Sequence, residues 1–241
     1  MDADRELLIR CLDLTLLGDD DDVPTVDALC ARAAEPVAGR ADLAVAAVCV
    51  WPRFVSRARE RLADTAVRVV CATGGFPVPD EPLDRRLDLI RASVDAGAHE
   101  VDVVLNRLLL DEPAALAAEL DATRSAAGPA TWKAILETGA LTPDGIRQAA
   151  DAAIAAGADF LKTSTGKGPP GASPKAVVIL NEGIAAAGRP VGLKVSGGVR
   201  TVEQAASFLE LVRETLGPAW PAPTTFRIGA SALLNVLADR P

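Results

Sequence analysis

Two lysines stand where lysine is out of place. Lys162 in DFLKTSTGKG and Lys194 in VGLKVSGG each follow an apolar run directly, so each side chain must enter an interior or snorkel to water at a strand end. Taken singly, a snorkelling lysine is ordinary. Two in consecutive predicted strands, each followed by small hydroxyl or glycine residues, point instead to a shared interior. Burying two cations together costs several kcal/mol unless a carboxylate compensates. Asp102, an acid between valines in EVDVVLN, is the candidate.

This trio has a chemistry. A free lysine titrates near about 10.4, so on the order of one in 10³ is neutral at pH 7. Desolvation and a nearby cation lower that value and make the amine a nucleophile. A neutral amine adds to an aldehyde to give a carbinolamine and then an imine, and the imine stabilises carbanion character at the adjacent carbon as an enamine. Neither metal nor histidine is needed. The chain has a single histidine, His99, which cannot supply a His-rich metal site, and a Ser-His-Asp triad would have to use that one residue. We expect no metal and no cofactor.

Glycine-rich segments complete the picture. Gly166-Lys167-Gly168, Ser196-Gly197-Gly198 and Gly229-Ala230-Ser231 follow the sixth, seventh and eighth predicted strands. Small residues there free backbone N–H groups for an anion, and Lys167 and Arg200 add positive charge. Tight turns alone would also use glycine; three such segments at neighbouring strand ends favour a phosphate.

The elements that must position these residues alternate between two patterns. Apolar or β-branched runs occur at 12–17, 43–50, 67–73, 101–106, 132–138, 160–163, 191–195 and 226–229, with starts about 30 residues apart, the period of a βα unit. Between them lie helical periodicities such as Leu83-Leu87-Ile90-Val94. Gly97, Gly157 and Gly188 fall where helices should stop, and Thr142-Pro143 and Ser173-Pro174 where helices should start. Runs apolar on both faces suit parallel strands covered by helices. Eight units without a linker predict a single-domain (β/α)8 TIM barrel over residues 1–241, with a doubly wound open sheet as the alternative, since periodicity does not show closure. In a barrel, chemistry sits at the C-terminal strand ends, where Asp13, Cys49, Asp102, Lys162 and Lys194 fall.

Composition narrows the partners. There are 25 basic against 33 acidic residues, a net charge of −8 that argues against nucleic acid yet permits one small phosphate. The four cysteines form no CxxC and read as buried small hydrophobes. MDADRELLIR has no apolar targeting core, and the longest apolar stretch, Leu43 to Pro52, falls short of the roughly 20 residues a membrane span needs. The expectation is a soluble cytoplasmic protein. His99, ahead of a strand and on the opposite face of the barrel, reads as structural; Asp19–Asp22 as a solvated loop or helix start; Trp132 and Trp220 as packing. Glu137 and Thr138 either orient the lysines or close a strand network. No arginine deep in a strand is expected to bind a substrate carboxylate.

The phrases CLDLTLL (11–17), AVCVWPRFV (47–55), VDVVLN (101–106), KAILETGALT (133–142), GADFLKTSTGKG (157–168), GLKVSGGVRT (192–201) and RIGASALL (227–234) resemble the deoxyribose-phosphate aldolase family, collinearly and over essentially the whole chain. The resemblance implies a cofactor-free barrel that reversibly splits 2-deoxy-D-ribose 5-phosphate into acetaldehyde and D-glyceraldehyde 3-phosphate. It implies that Lys162 forms the imine, that Lys194 keeps Lys162 deprotonated, and that Asp102 shuttles protons. It places Gly166, Lys167, Gly197, Gly198 and Ser231 around the substrate phosphate, and Asp13, Thr15, Cys49 and Thr165 along the pocket. It makes a homodimer plausible, and Cys49 a target of reactive enals. Some members use a tyrosine in a C-terminal tail; this sequence has no tyrosine, so that route is not expected. A Phe-Pro-x-Gly stretch of the family reads Phe76-Pro77-Val78-Pro79 here, and Trp51 replaces a commoner tyrosine. Two rivals remain: a lysine-imine aldolase for another phosphorylated carbonyl compound, and a non-catalytic sugar-phosphate sensor, which the presence of both lysines disfavours.

Overall fold

A computed structural model describes residues 1–168 and 171–238. Among these, eight strands run in chain order: β1 Leu12–Thr15, β2 Ala47–Val50, β3 Arg68–Thr73, β4 Glu100–Val104, β5 Thr131–Ile135, β6 Phe160–Lys162, β7 Gly192–Ser196 and β8 Phe226–Ala230. Each pairs in parallel with the next, and β1 pairs with β8 through Leu12 opposite Ile228 and Asp13 opposite Gly229, so the sheet closes into a barrel. Closure is what separates this fold from the open-sheet alternative. The helices are α1 Ala3–Arg10, α2 Val23–Ala34, α3 Val55–Arg61, α4 Leu83–Asp95, α5 Pro113–Ala127, α6 Pro143–Ala155, α7 Pro174–Ala186, α8 Val202–Leu216 and α9 Leu233–Ala238.

Local chemistry explains most boundaries. Thr142 and Ser173 accept the amides of Gly145 and Ala176 as N-caps, each followed by proline at the first helical position. α8 opens on a capping box of Thr201 with Gln204. Gly97, Gly157 and Gly188 follow α4, α6 and α7 at positive φ. Most strands are shorter than their apolar runs suggest, and β2 and β5 show why. Leu43 and Val45 are buried in the approach to β2 without joining it, because burial does not require strand pairing. β5 stops at Ile135 because Glu137 takes the left-handed conformation, φ 55°, which breaks the extended run.

The main core lies between the outer strand faces and the helices, as a continuous cluster of Leu, Val, Ile and Ala. The barrel interior is divided. On β2 and β3 it is apolar, with Ala47, Cys49, Val70 and Ala72 in one buried cluster. On β1 and β4–β8 it is ionic, and Asp13, Glu100, Asp102, Lys133, Lys162, Lys194 and Arg227 are all buried. Phe160 on β6 lies beside this ionic half, its ring 5.8 Å from the Lys133 ammonium and 5.7 Å from the Arg227 guanidinium.

Gly192 on β7 makes room for that ring: a Cβ there would sit 2.3–2.6 Å from three Phe160 ring carbons. A ring between strands cannot swing away as a flexible chain end can. Gly192→Ala is expected to lower stability by about 1–3 kcal/mol, measured by chemical denaturation, with the loss relieved in a Phe160→Leu background.

Candidate active site

Parallel register brings the ionic residues together. Lys162 stands opposite Lys194, Lys194 opposite Arg227, and Asp102 opposite Lys133. Asp102, with no exposed surface, is the hub. Its Oδ2 accepts from Lys162 Nζ at 2.7 Å and Lys194 Nζ at 2.8 Å, and its Oδ1 from Lys133 Nζ at 3.0 Å. Asp13 lies 2.5 Å from Lys194 Nζ and accepts from Arg227 at 2.6 Å. Glu100 pairs with Lys133 and accepts from Arg227 Nη2 at 3.1 Å.

The electrostatics distinguish the two predicted lysines. Burial pushes the Lys162 amine down; Asp102 pulls it back and Lys194 pushes it down again, so it ends below the ordinary lysine value. Burial acts on Lys194 in the same sense, yet Asp102 and Asp13 together raise it. Burial would raise the Asp102 carboxyl, but Lys133, Lys162 and Lys194 hold it well below the usual carboxylate range. Asp13 is likewise lowered, burial being outweighed by Lys194, Arg227 and Lys133.

A cavity of about 480 Å³ opens over Lys162 and Lys194 at the C-terminal strand ends. Thr15, Thr165, Gly166, Lys167, Gly197, Gly198 and Ser231 line it, together with Arg200 and Asp21. Asp13 and Cys49, expected along the pocket, are fully buried and do not line it; Asp13 faces the lysine cluster from below. Burial raises the Cys49 thiol, and with no exposed surface the side chain offers an enal no direct approach. A larger cavity, about 630 Å³, opens at the opposite mouth and reaches the ionic cluster only at Arg227.

The loops over β6 and β7 are stitched together. Thr163 Oγ1 donates to the Ser196 carbonyl at 2.8 Å and accepts the Ser196 amide at 2.9 Å, and Ser164 and Ser196 exchange hydroxyl bonds to each other's carbonyls at 2.6 Å. Gly171 and Gly197 abut this seam, where a Cβ would fall 1.7 Å and 2.3 Å from Ser164 Oγ. Glu137 accepts from Thr165 Oγ1 at 2.7 Å, and Thr138 donates to the Gly171 carbonyl at 2.8 Å. Both therefore shape the β6 loop and do not touch the lysines. Phe76 lies 5.8 Å from Lys162 Nζ and packs edge-on against Trp51, whose Nε1 donates to the Gly18 carbonyl at 3.1 Å.

The remaining sequence readings can be placed. His99 Nδ1 accepts the Val69 amide at 2.9 Å at the N-terminal side of the barrel, and burial with Arg59 and Arg68 lowers its pKa, so it stays neutral in a structural position. Asp22 caps α2 through the Thr25 amide, and Asp21 accepts the Gly18 amide. Trp132 is buried. Lys133, Glu100 and Arg227 are the charged residues that sequence reasoning missed. Lys133 carried the same signal as Lys162, a lysine in an apolar run, in TWKAIL. Arg227 corrects the expectation of no arginine deep in a strand; it spends its charge on Asp13 and Glu100, away from the substrate cavity.

A closed parallel barrel with a carboxylate-bound lysine pair under a polar cavity defines a lysine-dependent aldolase barrel. The chain belongs to the DeoC/LacD family of aldolases, whose family model matches residues 7–239. It is 40% identical to deoxyribose-phosphate aldolase of Mus musculus over 94% of this chain and 77% of the relative, and 38% identical to that of Agrobacterium fabrum over 96% and 91%. Its fold is similar to a solved deoxyribose-phosphate aldolase of Aeropyrum pernix, described as a tetramer, with TM-score 0.77 and 28% identity over 97% of this chain and 90% of that one.

Proposed function

We propose that this aldolase cleaves 2-deoxy-D-ribose 5-phosphate reversibly to acetaldehyde and D-glyceraldehyde 3-phosphate, with Lys162 as the nucleophile. One observation carries the assignment: of the buried lysines, Lys162 lines the cavity with a single carboxylate partner, while Lys194 touches two. The neutral Lys162 Nζ attacks C1 of the open-chain sugar, and the carbinolamine loses water to become a protonated imine. The C3 hydroxyl gives up its proton as the C2–C3 bond breaks; C3 becomes the aldehyde of glyceraldehyde phosphate, and the bonding pair enters the imine to give the enamine. Protonation at C2 and addition of water then release acetaldehyde and the free amine. Asp102 is the carboxylate within reach of Lys162 to carry these protons, and the Lys194 ammonium holds Asp102 ionised and disfavours a second positive charge on Lys162.

Gly166, Lys167, Gly197, Gly198 and Ser231 form the phosphate end of this reading, with Thr15 and Thr165 along the sugar. Gly197 and Gly198 both have positive φ, about 90°, a conformation that presents successive amides without side chains in the way. Lys167 and Arg200 supply positive charge to the same cavity. The reading includes a homodimer in the cytoplasm; four free, buried cysteines fit a reducing compartment, and among the described residues no helix is long and apolar enough to cross a membrane.

Reduction with borohydride in the presence of acetaldehyde tests the nucleophile. The expected product, read by peptide mass spectrometry, is an ethyl group on Lys162; an unlabelled Lys162, or equal labelling of the protein after Lys162→Ala, would sink the assignment. Comparing turnover of deoxyribose 5-phosphate with that of deoxyribose tests the phosphate end: equal kcat/KM for the two sugars would remove it.

A further inference from the structure

We infer that Arg227 and Glu100, at the floor of the barrel and out of reach of the substrate cavity, are positioning residues that set the proton count of the lysine cluster, so that the missing proton falls on Lys162. The inference rests on the reading of Lys162 as the nucleophile and extends it to residues that touch no substrate.

The geometry is a closed ledger of charge. Among the described residues, the inward-facing strand positions of the barrel hold three buried carboxylates, Asp13, Glu100 and Asp102, and four buried cationic side chains, Lys133, Lys162, Lys194 and Arg227, while the other buried charges lie apart from them: Arg86 and Glu119 form a pair of their own, and Glu137 is turned to Thr165. An uncompensated buried charge is expensive, and the group that bears it neutralises. One proton is therefore in excess. Arginine does not give one up. Arg227 joins Asp13 to Glu100, Lys133 joins Glu100 to Asp102, and Lys194 joins Asp102 to Asp13. Lys162 alone holds a single carboxylate, at 2.7 Å, and it is the one whose loss of charge breaks the fewest pairs.

The other groups around Lys162 leave this balance standing. From β2 comes the Cys49 thiol, which burial keeps protonated; from β3 the apolar Val70 and Ala72; and above it the Phe76 ring. Lys167, Arg200 and Asp21 face the same cavity from the solvent side. Arg68 reaches Glu100 at 2.5 Å from the opposite mouth, but its side chain is 42% exposed, so water screens its charge far more than that of Arg227, whose side chain is 4% exposed where it borders the larger cavity. Removing Arg227 leaves three ammonium groups for three carboxylates, and Lys162 can keep its proton. Removing Glu100 as well restores the excess.

The test is the pH dependence of borohydride-trapped ethyl adduct formation on Lys162, read by mass spectrometry with acetaldehyde as the probe. In Arg227→Met the acid limb is expected to move up by about one pH unit, so that trapping on that limb slows about tenfold. Arg227→Lys, which keeps the charge, should retain the wild-type limb. The double variant Arg227→Met with Glu100→Gln should return to it, an outcome that mere structural damage would not produce. If Arg227→Met does not fold, Arg227→Gln takes its place, since it keeps a hydrogen-bond donor without the charge. An unmoved limb in the single variant, or a double variant displaced as far as or further than the single one, overturns the inference. Failure of the wild-type protein to form any Lys162 adduct is a different result, which overturns the nucleophile assignment and this inference with it.

Discussion

Lys162→Met is expected to remove aldolase turnover by about 10⁴-fold or more while leaving the fold intact. Neither of the other buried lysines can inherit the role. Lys194 is held by two carboxylates and Lys133 by three, so each is tied into the floor of the barrel by more buried anions than Lys162. The stability side of the prediction runs opposite to the usual cost of a core substitution. Lys162 has a folded-state pKa below its unfolded value, so between the two values the unfolded chain binds a proton that the folded one does not, and stability rises with pH across that window up to about 10.5. At neutral pH the wild-type lysine therefore costs stability, and methionine, of similar length and without charge, relieves it. Thermal melts should show Lys162→Met at or above the wild-type midpoint at pH 7, with the wild type gaining on it as pH approaches 10.5. Residual turnover above a tenth of the wild-type rate would contradict the assignment, and a collapse of the melting midpoint would contradict the charge argument.

Asp102→Asn is expected to damage both activity and stability. One oxygen of Asp102 serves Lys162 and Lys194 and the other serves Lys133, so a neutral amide leaves three amines around a group that presents one acceptor oxygen and two N–H donors. Removing one partner of a buried ion pair typically costs about 3–5 kcal/mol, which in a chain of this size lowers the melting midpoint by roughly 10 °C. Turnover should fall by about 10²–10⁴-fold, the range for loss of a positioned proton carrier. The pH dependence has a definite sign. The folded-state pKa of Asp102 lies well below 3.8, so its stabilisation is fully present above the unfolded value and is lost as pH falls through the folded one. The stability gap between wild type and Asp102→Asn should hold from pH 5 to 8 and close only under strongly acid conditions. A gap that closes already near pH 6 would show that Asp102 is not the ionised hub.

Much of this site is legible in the sequence, and the parts that are not share a cause. Lys162, Lys194 and Asp102 stand out because each interrupts an apolar run, where a charge must be compensated. Lys133 interrupts one too, yet its partners cannot be read locally: Glu100 is 33 residues away along the chain at the first position of β4, and Asp13 lies across the barrel on β1. Arg227 is harder still, because an arginine at the start of a strand normally reaches water; here Asp13 and Glu100 turn it inward. Glu137 shows the converse. Its type and place left two roles open, orienting the lysines or closing a strand network, and a left-handed backbone aims it at Thr165.

By itself the sequence determines the alternation of strands and helices, the capped helix ends, and the presence of two buried amines with a carboxylate, because periodicity, capping and the cost of burying charge are properties of short segments. Only the tertiary structure decides that the sheet closes and that alternate residues of six strands meet in one water-excluded interior. It alone decides that four cations there face three carboxylates. The protonation of Lys162 is thus a property of the whole barrel, since in a low dielectric the charge on one group is fixed by all its neighbours together.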